Sequence, residues 1–139
     1  MDAAAMRSMV EPARVARLAT VSVEGGPHLV PVCFVLVGDT VYSAVDHKPK
    51  KTSRLRRIAN IKATGRACVL VDEYHDADWT RLRWARLDGR ARLVDKPDEA
   101  VRARSALVGK YPQYAHTPPS GPLIALDITG WTGWSADEA

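Results

Sequence analysis

Apolar positions along this chain recur with two periods, and the switch from one to the other marks out its elements. Val15 to Val23, Arg66 to Tyr74 and Leu123 to Trp134 read as strands, and His28 to Val37 reads as one long strand turning at Gly38-Asp39 into another from Thr40 to Val45. Between Thr52 and Ala63 the pattern changes. Leu55, Ile58, Ala59 and Ile61 fall at three- and four-residue steps, Thr52 is a good N-cap, and Thr64-Gly65 supplies the stop, so a helix is predicted there. Asp95 to Lys110, with Pro97 near its first turn, predicts a second long helix, and Ala3 to Val10 a short one stopped by Pro12. Trp79 to Leu87 and Ala91 to Val94 read as a hairpin across Asp88-Gly89. Tyr111 to Pro122 holds four prolines and reads as an extended loop, and His75 to Asp78 as a polar one. Six or seven hairpin-connected strands with two inserted helices predict an α+β domain built on an antiparallel barrel.

One strand breaks the usual rule. Along Leu29 to Val37 both faces are apolar: Leu29, Pro31, Cys33, Val35 and Val37 on one, Val30, Val32, Phe34 and Leu36 on the other. An antiparallel strand normally shows one face to water. The outer face therefore needs a ligand, a helix or a second subunit over it, and a homodimer is the economical solution.

Composition adds bounds. With 139 residues, 46% hydrophobic and 26% charged, and neither repeat nor linker, residues 1–139 form a single globular domain. The longest apolar run, Val30 to Val37, is too short to span a bilayer, and the N-terminus lacks a signal-peptide core. Cys33 and Cys68 stand alone on separate predicted strands, without the spacing of a metal or redox pair, which suits a cytoplasmic protein with reduced thiols. The net charge of +4 is local: eight basic residues and no acid lie between Lys48 and Arg66. Lys48, Lys50 and Lys51 sit where the strand gives way to the helix. Cations there oppose the helix dipole, and a bound phosphate would offset this. A solvated turn is the plainer alternative. A nucleic-acid module would need an exposed aromatic ladder beside the charge, and none is evident.

Other signals are weighed the same way. Trp131 and Trp134 suit core or interface, and Trp79 is evenly balanced between such a role and a cofactor lid. His75, Asp76 and Asp78 have no second histidine at ligand spacing, so no metal is expected. Cys33 suits a small apolar residue, and His28 a polar strand end. Neither a Ser-His-Asp set nor a close acid pair points to hydrolysis. That is compatible with redox chemistry carried by a cofactor, and no catalytic residue is nominated.

The segments ARLATVSVEGGPHLVPVCF (16–34), GDTVYSAVDHKPKKTSRLRRIANI (38–61), LVDEYHDADWTRLRWARLDGRARL (70–93) and KYPQY…PPSGPLIALDITGWTGW (110–134), taken together, resemble the split-barrel flavin-binding superfamily typified by pyridoxamine 5′-phosphate oxidase. They are most similar to its deazaflavin-using branch, the F-420-dependent oxidoreductases. The resemblance implies a homodimeric split β-barrel with two main helices and the cofactor at the subunit interface. It implies coenzyme F-420, with FMN the alternative, and hydride transfer to a small unsaturated or quinone-like substrate, or a non-catalytic cofactor-binding role. Carried over residue by residue, it implies that Val30, Pro31, Val32 and Cys33 line the ring, that Ser43, Ala44 and Val45 flank the chain beyond it, and that Lys48, Lys50 and Lys51, with Arg54 behind, hold the phosphate. Trp79 would approach across the dimer interface. Relatives usually carry an arginine in the phosphate loop where this chain has Lys-Pro-Lys-Lys, so which lysines make the contact stays open.

Overall fold

The alternating segments do pair as hairpins, but not all of the expected ones. A computed structural model describes residues 1–45 and 52–138, with 52–55 as backbone only. The chain runs through α1 (Ala3–Val10), β1 (Ala16–Val21), β2 (Pro27–Val32), β3 (Val35–Val37), β4 (Thr40–Ala44), α2 (Thr52–Ala63), β5 (Arg66–Glu73), β6 (Arg83–Leu93), α3 (Pro97–Lys110), α4 (Pro112–His116) and β7 (Leu123–Ser135). Short 3-10 turns lie at Trp79–Arg81 and Ala136–Glu138. Among the described residues every strand pair is antiparallel, and the seven strands form one sheet in the order β2-β1-β5-β6-β7-β4-β3.

That order forces the sheet to curl. β2 ends at Val32 and β3 begins at Val35, yet the two occupy opposite edges. Seven flat strands would hold their outer members about 29 Å apart. Three residue steps span about 11 Å at most. The edges must approach, and the result is a half-barrel whose concave side is filled by Leu18, Phe34, Val69, Leu87 and Leu126, all essentially buried. The single strand expected over His28 to Val37 is therefore wrong. It is two strands joined by a crossover at Cys33-Phe34. Val30 and Val32 face this core and Val35 packs under α3 in a second cluster, while Leu29, Pro31, Cys33 and Val37 stay exposed on the other face.

The expected hairpin at Asp88-Gly89 is also corrected. β6 runs straight through these residues and pairs with β7 on one side and β5 on the other. Asp88 pairs with Gly130 and Gly89 with Ile128, so Thr129 is an extra residue on β7, a β-bulge. A Cβ on Gly89 would come within 2.1 Å of the Asp127 carbonyl oxygen. Glycine is there for close approach, not for a turn.

α2 docks on the barrel through Ile61, which enters the core, and through two polar contacts. Asn60 Nδ2 donates to Thr20 Oγ1 at 3.1 Å, and Thr64 Oγ1 donates to the Val21 carbonyl at 3.0 Å. Gly65, at φ +66°, ends the helix as the sequence predicts. α3 buries Ala103 and Leu107, four residues apart, against Tyr42, Leu123 and Ala125. The proline-rich loop expected after it begins instead with the short helix α4, so α1 and α4 join the two main helices. Among the described residues no helix is long and apolar enough to cross a membrane.

Candidate functional site

A cavity of about 610 Å³ opens where the crossover, the end of β4 and α4 converge. Pro31, Val32 and Cys33 form one part of its lining, and Ser43, Ala44 and Val45 another. The backbone of β2 is available there, because among the described residues β2 is an edge strand that pairs only with β1. α2 contributes Arg57, and α4 and the residues after it contribute Gln113, Tyr114, Thr117 and Pro119.

Six expected site residues are thus brought together. Val30 is not among them in the lining, since the pleat turns its side chain toward the barrel core. Lys48, Lys50 and Lys51 lie outside the described residues, as does the side chain of Arg54, whose backbone is in α2. Trp79 stands on the 3-10 turn, 64% exposed, beside a smaller polar pocket lined by Glu73, His75, Thr80 and Arg83 and away from the cavity in this chain. Gln113, Tyr114 and Thr117 were not anticipated, and Arg57 only as a member of the basic run. Arg57 lies three positions beyond Arg54 on the same helix, and Pro112 occupies a first-turn position in α4, where proline is favoured. Both signals are present in the sequence.

The crossover that forms the cavity wall is held from behind. Phe34 is fully buried, and its N–H donates to Tyr111 Oη at 3.0 Å. The Phe34 carbonyl accepts from Lys110 Nζ at 2.9 Å and also lies 3.0 Å from Tyr111 Oη. The same Oη is 2.9 Å from the Arg14 carbonyl, so one hydroxyl proton serves two acceptors. Lys110 Nζ stands 3.9 Å from the Phe34 ring centroid. Burial, with Arg14 adding to it, pushes the Lys110 ammonium down to about 8, and burial pushes the Tyr111 phenol up. His28, on β2, has its imidazole pushed down by burial and then by the charges of Arg56 and Arg57, and its Nδ1 is buried without a hydrogen-bond partner among the described residues. Among the described residues no group of three His, Cys, Asp or Glu side chains is placed to hold a metal ion.

The donor set suits a planar heteroaromatic with a polar, anionic extension. Apolar Pro31, Val32, Ala44 and Val45 alternate with three hydroxyls, one amide and one guanidinium, in a cavity within the range of about 300–1,000 Å³ typical of cofactor sites. The family model for pyridoxamine 5′-phosphate oxidase matches residues 3–135. The chain belongs to the pyridoxamine 5′-phosphate oxidase family. Among curated proteins none is similar enough in sequence to match. Solved structures with the fold of this family include a conserved hypothetical protein of Mycobacterium tuberculosis, 19% identical with a TM-score of 0.74 over 98% of this chain and 86% of that one. An FAD-binding protein of Mesorhizobium loti is 19% identical, with a TM-score of 0.73 over 96% and 94%. A candidate 5-nitroimidazole antibiotic resistance protein of Bacteroides thetaiotaomicron is 17% identical, with a TM-score of 0.70 over 95% and 82%. At these identities the likeness is one of fold, the α+β half-barrel of the pyridoxamine 5′-phosphate oxidase family.

Proposed function

We propose that this protein is an oxidoreductase that binds the deazaflavin coenzyme F-420 in the cavity between the crossover, β4 and α4, and passes hydride to a small unsaturated or quinone-like acceptor. The observation that carries the reading is the convergence of two apolar strand ends, Arg57 and the polar residues of α4 on one cavity of cofactor size. When bound, the deazaflavin ring supplies hydride, two electrons at a time. The chain supplies the seat. Pro31, Val32 and Cys33 offer an apolar surface for the ring, Ser43 and Thr117 offer hydroxyls, and Arg57 with the 48–66 basic run offsets anionic charge.

F-420 is favoured over FMN by that run, which carries more positive charge than one terminal phosphate requires. The family membership and the FAD-binding neighbour favour a flavin, and FMN is the second reading. Titrating the purified protein with each cofactor by fluorescence quenching decides between them. F-420 is expected to bind about tenfold tighter or better, about 1.4 kcal/mol. Equal or tighter FMN binding overturns the deazaflavin assignment, and failure of both removes the cofactor reading.

The proposal includes a homodimer. The convex face of the sheet carries a mostly apolar depression lined by Ala19, Leu29, Leu70 and Trp84, with Leu29 65% exposed and the Arg17–Asp72 ion pair at its margin. A second copy seated there would cover it, and Trp79 of the 3-10 turn is the residue proposed to reach the other protomer's cofactor. Light scattering is expected to give twice 15.2 kDa at micromolar concentration. A 15.2 kDa species with full cofactor binding overturns the dimer.

A further inference from the structure

Tyr111 sits between α3 and α4 and touches both sides of the cavity without lining it. Its hydroxyl accepts from the Phe34 N–H and lies within hydrogen-bond distance of the Phe34 carbonyl. Pro31, Val32 and Cys33, immediately before Phe34, form the strand side of the cavity. Tyr111 is also the residue before Pro112, where α4 begins, and α4 carries Gln113 and Tyr114 into the cavity lining. Its ring meets the Tyr114 ring edge-on at 5.6 Å and 73°. A third segment is tied in, because Arg14 lies 4.9 Å from the Tyr111 ring centroid and donates from Nη2 to the Lys110 carbonyl at 3.0 Å. The crossover passes between the two edges of the sheet, so the ladder cannot serve Phe34. Its backbone takes its partners from side chains at the end of α3 instead.

We propose that Tyr111 is a positioning residue that fixes the strand wall of the cavity against its α4 wall, through the hydroxyl on Phe34 and the ring on Tyr114. The inference rests on the reading of this cavity as the cofactor site. Its consequence is specific. Losing the hydroxyl alone, with the ring kept, loosens Cys33 and the ring seat while leaving the barrel core intact. A merely structural hydroxyl would lower stability and do nothing more.

Cys33 is exposed on the cavity wall and reports its geometry directly. In a Cys68→Ser background, alkylation by iodoacetamide reads Cys33 alone. Tyr111→Phe is expected to raise the Cys33 alkylation rate of the cofactor-free protein about fivefold and to weaken F-420 or FMN binding about tenfold. Leu107→Val, one turn earlier in α3 and buried, is the control: it is expected to lower the melting temperature and leave both other quantities unchanged. If Tyr111→Phe behaves like Leu107→Val, the proposal fails. If wild-type protein binds neither cofactor, the functional reading falls, and the alkylation ratio still decides the inference. Should Tyr111→Phe not fold, amide exchange in the wild type decides instead: the Phe34 N–H, donated to Tyr111 Oη, is expected to exchange about tenfold more slowly than the Cys33 N–H beside it, and equal rates overturn the clamp.

Discussion

Glu99 shows how one side chain can hold two elements in register. Its carboxylate accepts two hydrogen bonds from Arg92, each 2.8 Å, and one from Tyr42 Oη at 2.6 Å. Arg92 also donates to Asp127 at 2.7 and 3.1 Å, so α3, β6 and β7 meet at one guanidinium, and β4 joins them through the Glu99 carboxylate. Arg92 first, and Tyr42 after it, hold the Glu99 carboxyl down to about 2. A carboxyl lowered on folding contributes stability that is complete above its ordinary value and lost as pH falls through the folded one. The window here is from about 4.5 down to about 2. Arg92 is part-exposed, so water screens the pair, and Glu99→Gln is expected to cost about 1–2 kcal/mol at neutral pH. Urea unfolding across pH should show a shallower acid limb in the variant. An unchanged limb would place the acid sensitivity elsewhere.

At the scale of elements, the β6–β7 ladder turns on its bulge. A side chain at position 89 collides with backbone rather than with a movable side chain, so the ladder itself must shift. Gly89→Ala is expected to destabilise by about 3 kcal/mol, the upper part of the ordinary overpacking range, read as a loss of urea midpoint. Wild-type stability in that variant would mean that β7 slides freely at Thr129. This glycine also marks a limit of legibility. Asp-Gly is a strong hairpin signal by composition, and only the partner strand distinguishes a turn from a close approach. The helices were legible because Ile58 and Ile61, or Ala103 and Leu107, repeat at helical spacing. The crossover at Cys33-Phe34 was not, because apolar residues on both sides conceal a change of sheet edge. For the site, the segments 31–33 and 43–45 came from the family resemblance, while Arg57 and α4 were hidden by a charge run and by prolines that suggested a loop.

At the scale of the molecule, Lys110 adds a second slope to the stability profile. Its ammonium is lowered from an ordinary 10.5 to about 8, so between those values the unfolded chain binds more protons than the folded one. Stability is therefore expected to rise as pH climbs from about 8 toward 10. Burial raises the phenols of Tyr42 and Tyr111, which brings the opposite trend above 10. Thermal melts of wild type and Lys110→Met across this range should differ in slope, and parallel profiles would remove Lys110 as the source. The strand order has a kinetic consequence as well. β1–β2, β3–β4 and β5–β6 are neighbours in sequence and can each close as a local hairpin, whereas β4 reaches β6 only through β7. The loop closure that unites them spans most of the chain and has to precede its reward. During synthesis the hairpins can form as they emerge from the ribosome, but the barrel waits for Leu123–Ser135, and until then the edges of β4 and β6 are open to any other strand that passes.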